Sequence, residues 1–125
     1  MKVIKEDYLA THGIGDRCYP HTKEQLLTGN EVDGWTIVDC RDMLDEGGNP
    51  ISLYKEKIDQ VLEFLKQGKK VVICCGAGMS RSNAIAIGVL MKRGYDFEEA
   101  RYHVHDKVKI DLIDQAHINA LKHLY

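Results

Sequence analysis

Proline is nearly missing from this chain, with only Pro20 and Pro50 in 125 residues, so no stretch can act as a stiff proline-rich linker between domains. Long apolar runs are missing too. No segment approaches the roughly 20 consecutive apolar residues of a membrane-spanning helix. The first residues, Met1-Lys2-Val3-Ile4-Lys5-Glu6-Asp7, turn acidic before any apolar stretch can build. The expectation is therefore a chain without a secretion signal, addressed to the cytoplasm. An excess of positive charge is also lacking: the formal net charge is −2. That disfavours a nucleic-acid binder working through a broad basic face, and no nucleic-acid or membrane partner is expected. The cysteines at 18, 40, 74 and 75 contain no C-x-x-C pair, which leaves a zinc site poorly supported and makes thiol reactivity the useful question. His103 and His105 are the tightest histidine pair, but at i, i+2 on a predicted helix they point to different faces. No metal or cofactor is expected.

What the chain does have is 44% hydrophobic and 29% charged residues, enough for one cored, charge-coated domain over 1–125 and no second one. Val3 to Ile4 and Tyr8 to Ala10 read as short strands. Thr22 with Gln25 reads as a capping box for a short helix ending near Gly29. Trp35-Thr36-Ile37-Val38 is a β-rich run that empties into Asp39-Cys40-Arg41-Asp42, and the polar loop after it continues to Pro50. From Ile51, the residues Tyr54, Ile58, Val61, Leu62 and Leu65 recur at helical spacing until Gly68. Val71-Val72-Ile73-Cys74-Cys75 reads as a buried strand. A helix over about 81–93 follows; Asp96 with Glu99 caps a third, and a fourth runs from Asp111 to Leu124. Strands alternating with helices predict an α/β domain: a mostly parallel sheet of about four strands with helices on both faces.

The chemistry concentrates where the strand ending at Cys75 meets the next helix. In open α/β sheets, ligands bind beyond the carboxyl ends of the strands. The loop Gly76-Ala77-Gly78-Met79-Ser80 leads from that edge into a helix N-terminus, so several backbone N–H groups and the helix dipole can converge on an anion. Gly76 and Gly78 let the backbone turn tightly and approach a ligand closely. A thiol in this field is expected to fall from a pKa of about 8.5 to ~3.5–7.5 and rest as a thiolate. Arg81 adds a planar fork that can hold two phosphate oxygens. An anionic nucleophile beside a cradle for a tetrahedral dianion is a phosphate-transfer site.

Cys75-Gly76-Ala77-Gly78-Met79-Ser80-Arg81-Ser82 matches the Cys-x-x-Gly-x-x-Arg-Ser/Thr signature of the cysteine-dependent phosphatases. The stretch from Ile51 to about Leu121, including AGMSRSNAIAIGVLM and FEEA, resembles the dual-specificity branch of that superfamily. The resemblance implies the protein tyrosine phosphatase fold and hydrolysis of phosphomonoesters on a phosphorylated protein or peptide, at tyrosine and also serine or threonine, by a monomer. It further implies a phosphocysteine on Cys75, phosphoryl binding by Arg81, and a hydrogen bond from Ser82 that stabilises the departing thiolate. It departs at Cys74, where the family usually has histidine. The family's general acid precedes the hydrophobic residue that opens the helix. Asp45, ahead of Ile51 and beside Gly47-Gly48, fits that place; Asp42 is the alternative, and Asp39 finishes its strand.

Cys40 and Cys74 are candidates for trapping an oxidised Cys75 reversibly, with small buried hydrophobes as the plainer reading of both. The rival functions are an RNA 5′-phosphatase on the same fold, a non-catalytic phosphoprotein-binding module, and a thiol–disulfide oxidoreductase using Cys74 and Cys75. The last gives Arg81 and the glycines no task.

Overall fold

The computed structural model describes residues 2–5, 8–13, 27–44, 48–75, 80–109 and 115–125. In chain order the elements are β1 (Lys2–Lys5), β2 (Leu9–Gly13), β3 (Glu31–Val32), β4 (Trp35–Asp39), α1 (Ile51–Lys66), β5 (Lys70–Cys75), α2 (Ser80–Lys92), α3 (Phe97–Val108) and α4 (Gln115–Leu124). The strands form one sheet in the order β1-β2-β5-β4-β3. Its centre is parallel, with β5 flanked by β2 and β4, as the sequence pattern predicts. Each edge carries one antiparallel strand, β1 on β2 and β3 on β4, which takes the sheet to five strands. The extra strand, β3, is only two residues long. It turns into β4 through Asp33-Gly34, both at positive φ (53° and 85°), the backbone that a two-residue hairpin of the right twist demands.

β5 is the spine. Val71 to Cys75 are all 0% exposed, as a β-branched strand covered on both faces should be. Strand alternation sends Val71, Ile73 and Cys75 to one face together with Leu9 and Val38, where residues of all four described helices pack against them. Ala10, Val32, Trp35, Ile37, Val72 and Cys74 form a separate cluster on the other face. Among the described residues, then, helices cover one face only. The expected Thr22–Gly29 helix falls outside the described residues up to position 26, and its last residues, from Leu27, form a turn with Gly29 at φ 92°.

Local signals set the helix ends. α1 and α2 each stop in a Schellman arrangement: Lys69 N–H donates to the Phe64 carbonyl and Gly68 N–H to Leu65, while Tyr95 N–H donates to Leu90 and Gly94 N–H to Met91. α3 begins with the capping box expected of Asp96 and Glu99. Gly88 sets how closely the helices approach. A Cβ there would lie 2.9 Å from Ile58 Cγ1 on α1 and 3.1 Å from Leu121 Cδ2 on α4. Only a residue without a side chain lets α2 sit against both neighbours while it lies over β5 and β2.

Candidate active site

β4 and β5 run parallel, so their carboxyl ends share one edge, and the ladder pairs Asp39 with Cys74. The Cys40 N–H extends the pairing by one bond to the Cys74 carbonyl, at 2.7 Å. Two loops therefore leave the sheet side by side, one after Asp39 and one after Cys75.

The loop after β5 carries the signature residues. Cys75 is fully buried at the strand end. Its Sγ lies 3.3 Å from the Oγ of Ser82, also fully buried, in the first turn of α2. A protonated thiol donates across that contact; a thiolate accepts from the hydroxyl. Ser80 opens α2 and Arg81 follows in the same turn. Gly76, Ala77, Gly78 and Met79 lie outside the described residues.

Arg81 does not stand alone. Its Nη1 donates to the carbonyls of Met43 at 2.9 Å and Arg41 at 3.3 Å, reaching across to the loop after β4. With Nη1 docked on these carbonyls, the guanidinium plane is set, and its Nε–Nη2 edge has the spacing that matches two oxygens of a phosphate.

The loop after β4 is held by side chains. Asp39 accepts from Arg41 Nε and Nη2, both at 2.9 Å, and from the Arg41 N–H at 3.0 Å. The Met43 N–H closes the turn on the Cys40 carbonyl. Lys57, on α1, is 6% exposed; its ammonium donates to the Asp39 carbonyl at 2.9 Å and pairs with Asp42 Oδ1 at 3.0 Å. Asp42, the alternative proton donor, is thus bound to a buried cation. Asp45 lies outside the described residues, but the positions flanking it are joined: the Asn49 amide receives the Leu44 N–H at 2.7 Å and donates to the Leu44 carbonyl at 2.6 Å. Asn49 also donates to Tyr54 Oη at 3.4 Å, and that hydroxyl lies 2.6 Å from His117 Nδ1 on α4 in a buried contact.

The two other described cysteines are separated by strand alternation. Cys40 shares the buried cluster of Cys75, whereas Cys74 belongs to the opposite face. Burial pushes the Cys74 thiol up to about 12 and raises Cys40 still further, because a thiolate loses its hydration there. Both stay protonated at neutral pH and neither competes as a resting nucleophile. Among the described residues, no three His, Cys, Asp or Glu side chains converge to hold a metal ion, and no helix is long and apolar enough to cross a membrane.

Lys57 and Asn49 escaped the sequence reading. Position 57 is three residues from Tyr54 and four from Val61, on the apolar stripe of α1, so a lysine there was the available signal. Asn49 carried none, because its two shorter bonds are to backbone.

The fold is that of protein tyrosine phosphatase-like structures. Among solved structures the chain is similar to Tk-PTP in its active form, at 22% identity over 94% of this chain and 77% of that one, with a TM-score of 0.62. It is also similar to the human tyrosine phosphatase-like serine/threonine/tyrosine-interacting protein, at 24% identity over 66% of this chain, with a TM-score of 0.60. A leucine-rich repeat and phosphatase domain protein from Entamoeba histolytica matches at 24% identity over 66% of this chain, with a TM-score of 0.58. The matched part spans 56% and 58% of those last two chains. No protein-family model matches the chain, and no curated protein is significantly similar to it.

Proposed function

We propose that the protein hydrolyses phosphomonoesters on phosphorylated proteins or peptides, at tyrosine and also at serine or threonine, through a phosphocysteine on Cys75. The observation that carries this reading is the Cys75–Ser82 contact at the sheet edge, with Arg81 in the same helical turn.

In the first step Cys75 Sγ attacks phosphorus, the bond to the ester oxygen breaks, and Asp45 gives that oxygen its proton. Arg81, with the amides of 76–80, carries the charge on the phosphoryl oxygens. In the second step water attacks the phosphocysteine, Asp45 takes the water proton, and the S–P bond breaks. Ser82 donates to the sulfur as it leaves anionic. No bond in either step needs a metal. Cys40, on the Cys75 face, is the better-placed thiol to capture an oxidised Cys75, while Cys74 points away. Peroxide would convert the Cys75 thiolate to a sulfenic acid, and Cys40 would displace water to form the disulfide. The proposed setting is cytoplasmic and the working form a monomer.

The test is a rapid-mix assay with a chromogenic aryl phosphate. The expected result is a burst of phenol, insensitive to chelator and blocked by vanadate. Iodoacetate should label Cys75 faster than a model thiol at neutral pH, with phosphate protecting it. Oxyanion binding without a burst would make the protein a phosphoprotein-binding module instead. Neither burst nor protected labelling would end the phosphatase reading.

A further inference from the structure

The least expected group near the site is the ammonium of Lys57. It lies on the buried side of α1 among Tyr54, Ile58 and Val61, where a charge is costly unless it is fully matched. Both of its matches lie on one short turn, the Asp39 carbonyl at 2.9 Å and the Asp42 carboxylate at 3.0 Å. The next two carbonyls of alternate residues in that turn, those of Arg41 and Met43, are the ones on which Arg81 rests. Two contacts thus link α1 to α2 through backbone, Lys57 to the turn and Arg81 to the turn, and Arg81 stands in the first turn of α2 beside Ser82, which meets Cys75.

We propose that Lys57 is a positioning residue for oxyanion binding. By holding the 39–42 turn against α1, it fixes the carbonyls that aim the Arg81 guanidinium at the phosphate. The proposal rests on the reading of Cys75 and Arg81 as a phosphate site. The carbonyl contact matters most. Asp42 is 62% exposed on its side chain, so water screens its share of the match, whereas the Asp39 carbonyl belongs to the backbone that carries the turn.

The experiment measures tungstate binding by calorimetry, with thermal unfolding of each variant alongside. Lys57→Met fills the same volume without charge, and replacing a buried charge by a well-packed apolar side chain often leaves stability equal or higher. The expected result is a tungstate Kd raised about tenfold, equivalent to ~1.4 kcal/mol, with a melting temperature unchanged or raised. Asp42→Asn leaves the carbonyl contact in place and should weaken tungstate by no more than about threefold. In an Arg81→Lys background the Lys57→Met loss should largely vanish, because the group it positions is gone.

The inference is overturned if Lys57→Met leaves tungstate affinity at the wild-type value. It is equally overturned if the loss tracks a fall in melting temperature and persists undiminished in the Arg81→Lys background. Wild-type protein that binds no tungstate would overturn the phosphate site itself, and this inference with it. Binding by wild type with no effect of Lys57→Met removes this inference alone.

Discussion

The carboxyl ends of β4 and β5 share one edge, and the groups beside each are placed by different means. After β5, the functional atoms follow directly from covalent structure: Cys75 ends the strand, and Arg81 and Ser82 stand in the first turn of the next helix. After β4, little follows from the strand. The turn keeps its shape because Asp39 grips Arg41, Lys57 holds the Asp39 carbonyl, and Asn49 clasps Leu44. The placement of Cys75, Arg81 and Ser82 is a property of a strand end and a helix start; the 39–44 turn depends on side chains, two of them from beyond it. Arg81 joins them. Changes in the first loop should therefore remove chemistry, and changes in the second should alter its timing and aim.

The largest effect belongs to Cys75→Ser. Turnover of an aryl phosphate should fall by at least about 10⁴-fold, as when a nucleophile is deleted elsewhere, while tungstate still binds in a calorimeter. Residual turnover near the wild-type rate would show that the β5 loop does not supply the nucleophile.

Asp45→Asn comes next and tests the second loop. General-acid assistance contributes roughly 10²–10⁴-fold, so kcat should drop by that order for phenyl phosphate and by less for esters with better leaving groups. A proton donor works only while protonated, so wild-type rate declines as pH rises through its pKa. That limb should flatten in the Asn variant. Full rate with an unchanged profile would move the role to Asp42 despite its contact with Lys57.

Gly88→Ala probes the packing behind both loops. The added methyl must displace Ile58 or Leu121, an overpacking cost of about 1–3 kcal/mol, offset in part by a helix-propensity gain of ~1 kcal/mol. The melting temperature should fall by several degrees, with kcat at 25 °C near wild type. A rise in melting temperature would mean that α1 and α4 yield more easily than their contacts indicate.

The smallest effect is a control remote from both loops. The Asp96 carboxyl is held below its ordinary 3.8 by the Glu99 N–H, the Glu99 side chain and the Glu98 N–H. A lowered folded pKa contributes stability that is complete above the unfolded value and is lost as pH falls through the folded one. Asp96→Ala should thus lower the melting temperature slightly at neutral pH, and the gap should close below about pH 4. Activity should not change. A gap that persists in acid would assign the effect to packing rather than to the cap.

Much of the frame is legible in the residues because its causes are local. The β-branched run 71–75, the helical period from Tyr54 to Leu65 and the Asp96–Glu99 box each lie within one element, where period and capping decide structure. β3 went unread although Asp33-Gly34 marks its turn, because two residues carry no period. The Lys57 contact spans 18 residues, Arg81 to Met43 spans 38, and Tyr54 to His117 spans 63. No spacing rule reaches that far.

The chain by itself determined that a cysteine would end a buried strand and that Arg81 and Ser82 would stand at the start of the next helix. These are consequences of backbone preference and side-chain type acting between neighbours. Only the tertiary structure decided which face Cys40 and Cys74 share with Cys75, that Lys57 would be buried beneath the 39–42 turn, and that Arg81 would rest on that turn. Those outcomes depend on strand register and helix packing, and packing brings together groups that the chain keeps far apart.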